Sequence, residues 1–127
     1  MNKILTVTLN PAIDVRYNIE KIEMGNINRT TAVEKNAGGK GINVSRVIKQ
    51  LGGDILATGI VGGYTGKLFL SKLDKDSIEN SFLETDFETR TCIAAIDKNT
   101  GKITEFLESA EGKEKDFEKF LEKFREL

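Results

Sequence analysis

A glycine-rich loop that runs directly into an amphipathic helix constrains the fold of this chain more than any other feature. The stretch is Asn36-Ala-Gly-Gly-Lys-Gly-Ile-Asn-Val-Ser-Arg46. Glycines let the backbone approach a ligand closely, and a helix that begins near Gly41 directs free N–H groups and its positive dipole end toward the loop. The stretch predicts a cradle for a polar or anionic small molecule. The alternative is a simple turn from strand to helix.

The apolar pattern around this loop predicts a layered α/β body. The runs at 4–9 and 55–61 are almost continuously apolar, which is typical of strands covered on both faces. A helix over 42–51 is expected to cross between them, and a second helix is predicted over 65–75. The predicted buried residues of the first helix are Val44, Val47, Ile48 and Leu51. Those of the second helix are Phe69, Leu70 and Leu73.

A second pattern, in which apolar and polar residues alternate, indicates strands with one exposed face. Ile13, Val15, Tyr17 and Ile19 follow this pattern. The runs at 92–96 and 103–107 flank a turn-forming segment and predict a hairpin. These strands are expected to form a separate small sheet. Apolar positions such as Val15, Tyr17 and Ile19 pack either on the body of the chain or on a partner.

The segment from about Lys113 predicts an amphipathic helix. One side of it carries an apolar stripe, formed by Phe117, Phe120, Leu121, Phe124 and Leu127. Such a stripe must pack against something. It lies either on the central sheet of the same chain or against a partner.

Composition excludes several classes of function. Lys and Arg number 19 against 20 Asp and Glu, so no large basic field indicates binding to nucleic acid or to an anionic membrane. One cysteine and no histidine rule out an intramolecular disulfide and a metal site with several cysteines. No run approaches the roughly 18 apolar residues of a membrane span, and the expected location is the cytoplasm.

Two other nucleotide-site patterns fail on this sequence. The stretch Gly62–Leu68 imitates a phosphate-binding P-loop, but Leu68 stands where Ser or Thr would hold magnesium. No dinucleotide-binding fingerprint follows the first predicted strand. Gly62, Gly63 and Gly66 are therefore interpreted as a turn between strand and helix.

Two polar side chains are candidates for binding a sugar. Asp14 comes shortly after the first predicted strand and after Pro11, the only proline, and open α/β sheets usually bind ligands beyond such strand ends. Its carboxylate can accept hydrogen bonds from two adjacent hydroxyls. Asn43 lies in the first turn of the predicted helix, where its amide can donate and accept.

Four motifs, in this order and spacing, closely resemble the start of the ribokinase-like sugar kinases of the PfkB type: Thr8–Asp14, Gly38–Val44, Gly59–Gly63 and Thr89–Arg90. The chain looks most like the bacterial 1-phosphofructokinases and tagatose-6-phosphate kinases. The resemblance implies the N-terminal part of a ribokinase-like α/β fold, a three-layer α/β/α body with a small β-sheet lid. It assigns the lid strands to about 13–21, 29–35, 92–96 and 103–107.

The resemblance also implies the residues of a sugar-phosphate site. Those expected around the sugar are Asp14, Gly38, Gly39, Lys40 and Asn43. The planar guanidinium of Arg90 is expected to hold the phosphate already on the substrate, with Arg29 as a weaker second ligand. The alternative for either arginine is a solvated charge or a surface ion pair.

The implied reaction transfers the γ-phosphoryl group of ATP, with Mg²⁺, to a phosphorylated ketohexose. The Gly-Ala-Gly-Asp motif that supplies the catalytic Asp in the family lies beyond this chain, which contains no such string. We therefore expect no catalytic residue and no metal ligand here, and no ATP or Mg²⁺ held by these residues alone. The isolated chain is expected to be inactive and to form a homodimer through the lid. The alternative is a non-catalytic module for sugar-phosphate binding or dimerisation.

Overall fold

The computed structural model describes residues 2–110 and 112–127. In this part the chain forms seven strands and three helices, in the order β1 (Ile4–Thr8), β2 (Ala12–Ile19), β3 (Ala32–Gly38), α1 (Lys40–Gln50), β4 (Ile55–Gly62), α2 (Gly63–Lys75), β5 (Asn80–Thr85), β6 (Arg90–Asp97), β7 (Ile103–Leu107) and α3 (Glu114–Arg125). The strands form two sheets, with the orders β1-β4-β5 and β3-β2-β6-β7.

The three-stranded sheet belongs to the body, and its strands are parallel. The strands predicted at 4–9 and 55–61 are confirmed as β1 and β4. β4 is buried along almost its whole length, but Ile4, Leu5 and Val7 of β1 are 39–47% exposed, so the prediction that both faces are covered is wrong for β1. The helix predicted over 65–75 is confirmed as α2, with Phe69 and Leu73 fully buried. Gly62 and Gly63 form the junction of β4 and α2, as predicted, whereas Gly66 lies within α2 and is buried, so that the prediction of a turn is wrong for Gly66. The edge strand β5 was not predicted, because its six residues mix polar and apolar types.

The four-stranded sheet is the predicted lid sheet. β2 pairs with β6 in parallel, while β3 and β7 complete antiparallel pairs on either side. The strand predicted over 29–35 begins three residues later, at Ala32. Ile13 and Val15 join Phe69 and Leu73 in one buried cluster. The apolar face of the lid therefore packs on the body of its own chain.

Helix α1 presents a different face to the sheet from the one predicted. Val44, Val47 and Leu51 are 51%, 52% and 81% exposed, whereas Ile42 and Ser45 are fully buried. The Ser45 hydroxyl donates to the Gly41 carbonyl at 2.8 Å and lies 2.6 Å from the Thr6 hydroxyl on β1. A short polar pair therefore takes the place of a larger side chain between α1 and β1, and of the four residues predicted to be buried only Ile48 is half-buried.

Helix α3 contacts β4 and β5, but only one residue of its apolar stripe is buried. That residue is Phe120, while Phe117, Leu121 and Phe124 remain 40–51% exposed. Packing on the central sheet, one of the two predicted arrangements, thus holds for Phe120. Among the described residues, no helix is both long and apolar enough to cross a membrane.

Candidate functional site

A cavity of about 560 Å³ lies between the polar face of the lid and helix α1. Side chains from five elements line it, and those with polar groups are Asp14, Arg16, Glu34, Asn36, Asn43, Arg46, Cys92 and Glu105. The lid face that borders the cavity is the one opposite the buried cluster, since successive residues of a strand point to opposite faces. The predicted sugar-binding residues Asp14 and Asn43 are brought together here.

The carboxylate of Asp14 lies directly over Gly38. Asp14 stands on β2 between the buried Ile13 and Val15, opposite Asn36 on β3 and Cys92 on β6. A Cβ atom at Gly38 would collide with this carboxylate, so the glycine is what makes room for it. Burial raises the pKa of Asp14 above its usual value, and the charges of Arg90 and Arg46 partly oppose that rise.

The glycine loop also brings the start of α1 close to β1. Gly39 has φ of +122°, and a Cβ there would lie 2.7 Å from Cγ2 of Thr8. Gly39 precedes the first helical residue, Lys40, and the helix has no side-chain cap at this end. Its first N–H groups are therefore available to a ligand. Asn43 follows one turn later in the cavity wall.

Arg90 lies beside the cavity rather than among its lining residues. Its two terminal nitrogens donate to the carbonyls of Glu108 at 3.4 Å and Asn10 at 3.3 Å, while its Nε is buried without a partner among the described residues. The side chain borders a smaller cavity of about 140 Å³, which Pro11 and Phe117 also line. Its charge acts on Asp14 and Cys92, and its role as a phosphate ligand stays a prediction.

The other two predicted cations are Lys40 and Arg29. Lys40 is exposed at the start of α1, and Arg29 is exposed in the segment before β3. Neither is among the residues that line the cavity. Because neither side chain lines the cavity, the assignment of each as a ligand-binding residue stays a prediction.

Six polar cavity residues were not predicted as site residues: Arg16, Glu34, Asn36, Arg46, Cys92 and Glu105. Asn36 and Arg46 are the first and last residues of the glycine-rich stretch, and Arg46 follows Asn43 by three positions, so helical spacing could have identified it. Cys92 and Glu105 carried no such signal, because they reach the cavity only through strand pairing across β6 and β7. Burial raises the pKa of the Cys92 thiol, which therefore lacks the thiolate character of a reactive cysteine.

The sequence matches the pfkB family carbohydrate kinase model over residues 1–126. A Thermotoga maritima protein described as a possible 1-phosphofructokinase is 36% identical, with a TM-score of 0.87; the match covers 98% of this chain and 41% of that one. Escherichia coli phosphofructokinase-2 in complex with fructose 6-phosphate is 30% identical, with a TM-score of 0.91 and coverage of 100% and 42%. The tetrameric inhibited form of that enzyme is 31% identical, with a TM-score of 0.91 and coverage of 99% and 42%.

These matches extend over almost the whole of this chain. The chain spans about two-fifths of the length of the solved proteins. The family model likewise covers nearly every residue. The chain therefore belongs to the pfkB family of carbohydrate kinases.

Proposed function

We propose that this chain forms the sugar-phosphate-binding part of a kinase that phosphorylates a ketohexose phosphate at the expense of ATP. The observation that carries the proposal is the placement of the Asp14 carboxylate over Gly38, in the wall of a cavity that Asn43 also lines and that is large enough for a hexose phosphate. The complex of E. coli phosphofructokinase-2 with fructose 6-phosphate supports the substrate class, since that protein shares this fold at 30% identity.

The chemistry of the cavity suits a polyol. A carboxylate accepts hydrogen bonds from two hydroxyls, and the amide of Asn43 donates to a third oxygen. The uncapped start of α1 adds N–H donors and a positive dipole end, which favour an oxygen-rich ligand. Arg16 and Arg46 line the same cavity and can balance part of the negative charge of a phosphate.

ATP and Mg²⁺ belong to the proposal for the complete kinase, where the metal ion would neutralise charge on the transferring phosphoryl group. Among residues 2–110 and 112–127, no group of three or more acidic or cysteine side chains could hold a metal ion. The described residues thus offer no site that fits the ion. Their part is to bind and orient the acceptor sugar.

The test is a calorimetric titration of the folded chain with fructose 6-phosphate, fructose 1-phosphate and tagatose 6-phosphate. We expect saturable binding of at least one ligand and its loss in Asp14→Ala. The matched control is Asp86→Ala, which removes an exposed carboxylate from the loop after β5, outside the cavity. No binding of any of the three sugar phosphates by a folded parent chain would refute the proposal.

A second assay measures turnover. General-base and oxyanion-type groups typically contribute about 10²–10⁴ and 10²–10³ in rate, respectively, so a chain that lacks both should release no ADP above background. Turnover that stays with the chain through purification, and that disappears in Asp14→Ala, would contradict the proposed inactivity. It would leave the proposed substrate class intact.

We also propose that two copies associate through the lid, by a different surface from the one predicted. Val15 and Ile19 are buried within their own chain, whereas Ile103, Phe106 and Leu107 on the edge strand β7 are 59–61% exposed. An exposed apolar edge strand is a ready template for pairing. Sedimentation should show a dimer that Phe106→Lys disrupts and Leu51→Lys, directly after α1, does not. A monomer at every accessible concentration would refute this.

A further inference from the structure

Arg46 connects three elements at the edge of the cavity. Its Nη2 donates to the Ala37 carbonyl on β3 at 2.8 Å, and its Nη1 donates to Oδ1 of Asn43 at 3.3 Å. Its Nε lies 3.4 Å from a carboxylate oxygen of Asp76, just after α2. Only 29% of the side chain is exposed. The guanidinium therefore holds the glycine loop, the first turns of α1 and the end of α2 in one arrangement.

The contact with Asn43 determines how that amide faces the cavity. A guanidinium has five N–H donors and no acceptor, so the amide must turn its oxygen, and not its nitrogen, toward Arg46. The NH₂ group of Asn43 is then the part left free for a ligand. In this arrangement Asn43 acts as a hydrogen-bond donor, and it complements the acceptor oxygens of Asp14.

Arg46 also belongs to the charged surroundings of Asp14. Arg90 on β6 and Arg46 on α1 favour the ionised carboxylate, while Glu105 on β7 disfavours it. Glu34 on β3, Arg16 on β2 itself and the thiol of Cys92 on β6 line the same cavity. Of these cations, Arg46 alone also touches a second candidate sugar-binding side chain.

We propose that Arg46 is a positioning residue of the sugar site, which fixes Asn43 as a donor and supports Asp14 as an acceptor, so that the hydroxyls of the ligand bind in one orientation. This proposal rests on the proposed function. The proposed role of Arg46 goes beyond its ion pair with Asp76. Both side chains of that pair are about a third exposed, and such a pair contributes little to stability by itself. Two of the three contacts of Arg46 instead go to elements that line the cavity.

The test compares Arg46→Met and Arg46→Lys with Asp76→Asn. Asp76→Asn removes the charge of the ion pair and leaves the contacts to Ala37 and Asn43 in place. We expect Arg46→Met to weaken binding of fructose 6-phosphate about tenfold or more, the size of effect typical for a hydrogen bond to a charged group. Arg46→Lys should weaken it severalfold, because one ammonium cannot reach three separated acceptors. Asp76→Asn should stay within about twofold.

A second readout needs no ligand. The Asp14 carboxyl, followed by carbon-13 NMR against pH, should titrate at higher pH in Arg46→Met than in the parent, while Arg46→Lys and Asp76→Asn should leave the midpoint nearly unchanged. The side-chain amide signals of Asn43 should change in both Arg46 variants and not in Asp76→Asn. Circular dichroism checks that each variant is folded.

The outcomes are distinguishable. If the parent chain binds no sugar phosphate, the proposed function fails, and the titration of Asp14 together with the amide signals of Asn43 still decides the role of Arg46. An unchanged Asp14 midpoint and unchanged Asn43 signals in a folded Arg46→Met chain would overturn the proposal. Equal losses of affinity in Arg46→Met and Asp76→Asn would also overturn it, because they would show that the ion pair accounts for the whole effect.

Discussion

Gly38→Ala should impair the sugar site while leaving the fold nearly as stable as before. The three atoms nearest to a Cβ built at Gly38 all belong to the side chain of Asp14, and none is backbone. Gly38 is absent from the residues with positive φ, so alanine fits the local backbone. The added methyl group must therefore displace the carboxylate of Asp14 from its position over the loop.

The structure allows both effects to be estimated. Moving Asp14 off its preferred rotamer costs about 0.5–1.5 kcal/mol, and replacing glycine by alanine at a compatible position returns about 0.4–1 kcal/mol. The free energy of unfolding should thus change by less than about 1 kcal/mol. Loss of a hydrogen bond to a charged group costs about 1.5–3 kcal/mol, which corresponds to a roughly 10- to 150-fold loss of affinity.

The assay pairs calorimetric titration with fructose 6-phosphate and urea unfolding of the same preparations. Gly112→Ala is the control, since a Cβ there would meet aromatic carbons only at ordinary contact distances of 3.6–3.7 Å. Affinity retained within twofold in Gly38→Ala, alongside a large loss in Asp14→Ala, would refute the reasoning. A drop in unfolding free energy above about 3 kcal/mol would refute it as well, because it would show that the backbone, rather than Asp14, takes up the strain.

Three further predictions concern stability. Asp14→Asn should unfold at a higher temperature than the parent at pH 7. Because the pKa of Asp14 is raised in the folded state, ionisation of its carboxyl destabilises the folded state progressively above pH 3.8. The difference in melting temperature between parent and variant should therefore vanish below that pH. Glu88→Gln should be less stable at pH 7, because the Glu88 carboxylate accepts a 2.6 Å hydrogen bond from the Thr65 N–H at the start of α2. Its lowered pKa makes this contribution present above pH 4.5 and lost as pH falls through the folded-state value, so parent and variant should converge in acid unfolding curves. Phe69→Ala should lose about 3–5 kcal/mol in urea unfolding, since its fully buried ring packs edge-on against Phe82 at 5.3 Å; a loss below about 1 kcal/mol would contradict that packing.

Short-range sequence patterns predicted two of the residues that line the candidate site. The position of Asp14 after the first strand and that of Asn43 one turn into a helix were sufficient to place both in the cavity wall. The alternation along β2 correctly separated the buried Val15 from the cavity-facing Asp14. These predictions succeeded because each depends only on the geometry of a single strand or helix.

Features that depend on partners distant in sequence could not be predicted in this way. Glu105 reaches the cavity because β7 pairs with β6 in a particular register. Arg90 is held beside the cavity by the carbonyls of Asn10 and Glu108, which are 80 and 18 residues away. An arginine in a family motif gives no indication of which backbone carbonyls will accept hydrogen bonds from its guanidinium. The direction of the Arg90 side chain therefore follows only from the assembled fold.

Helix α1 shows why apolar spacing alone misled. Its spacing predicted burial of Val44, Val47 and Leu51, but Ser45 is the residue that packs on β1. A serine can replace a larger side chain there because its hydroxyl is satisfied by Thr6 and by the Gly41 carbonyl, at the close approach that the glycine loop permits. The periodicity of apolar residues identifies an apolar stripe on a helix, but it does not show which element packs against that stripe.

The distribution of buried and exposed apolar surface separates binding from association in this molecule. The strands that carry the cavity residues are anchored from behind by the cluster of Ile13 and Val15 with Phe69, which lies wholly within the chain. Ile103 and Phe106 of β7, which belong to the surface proposed for association, lie outside the lining of that cavity. A substitution such as Phe106→Lys, which should block association, should therefore leave the sugar site in place, whereas Gly38→Ala should impair the sugar site and leave association intact.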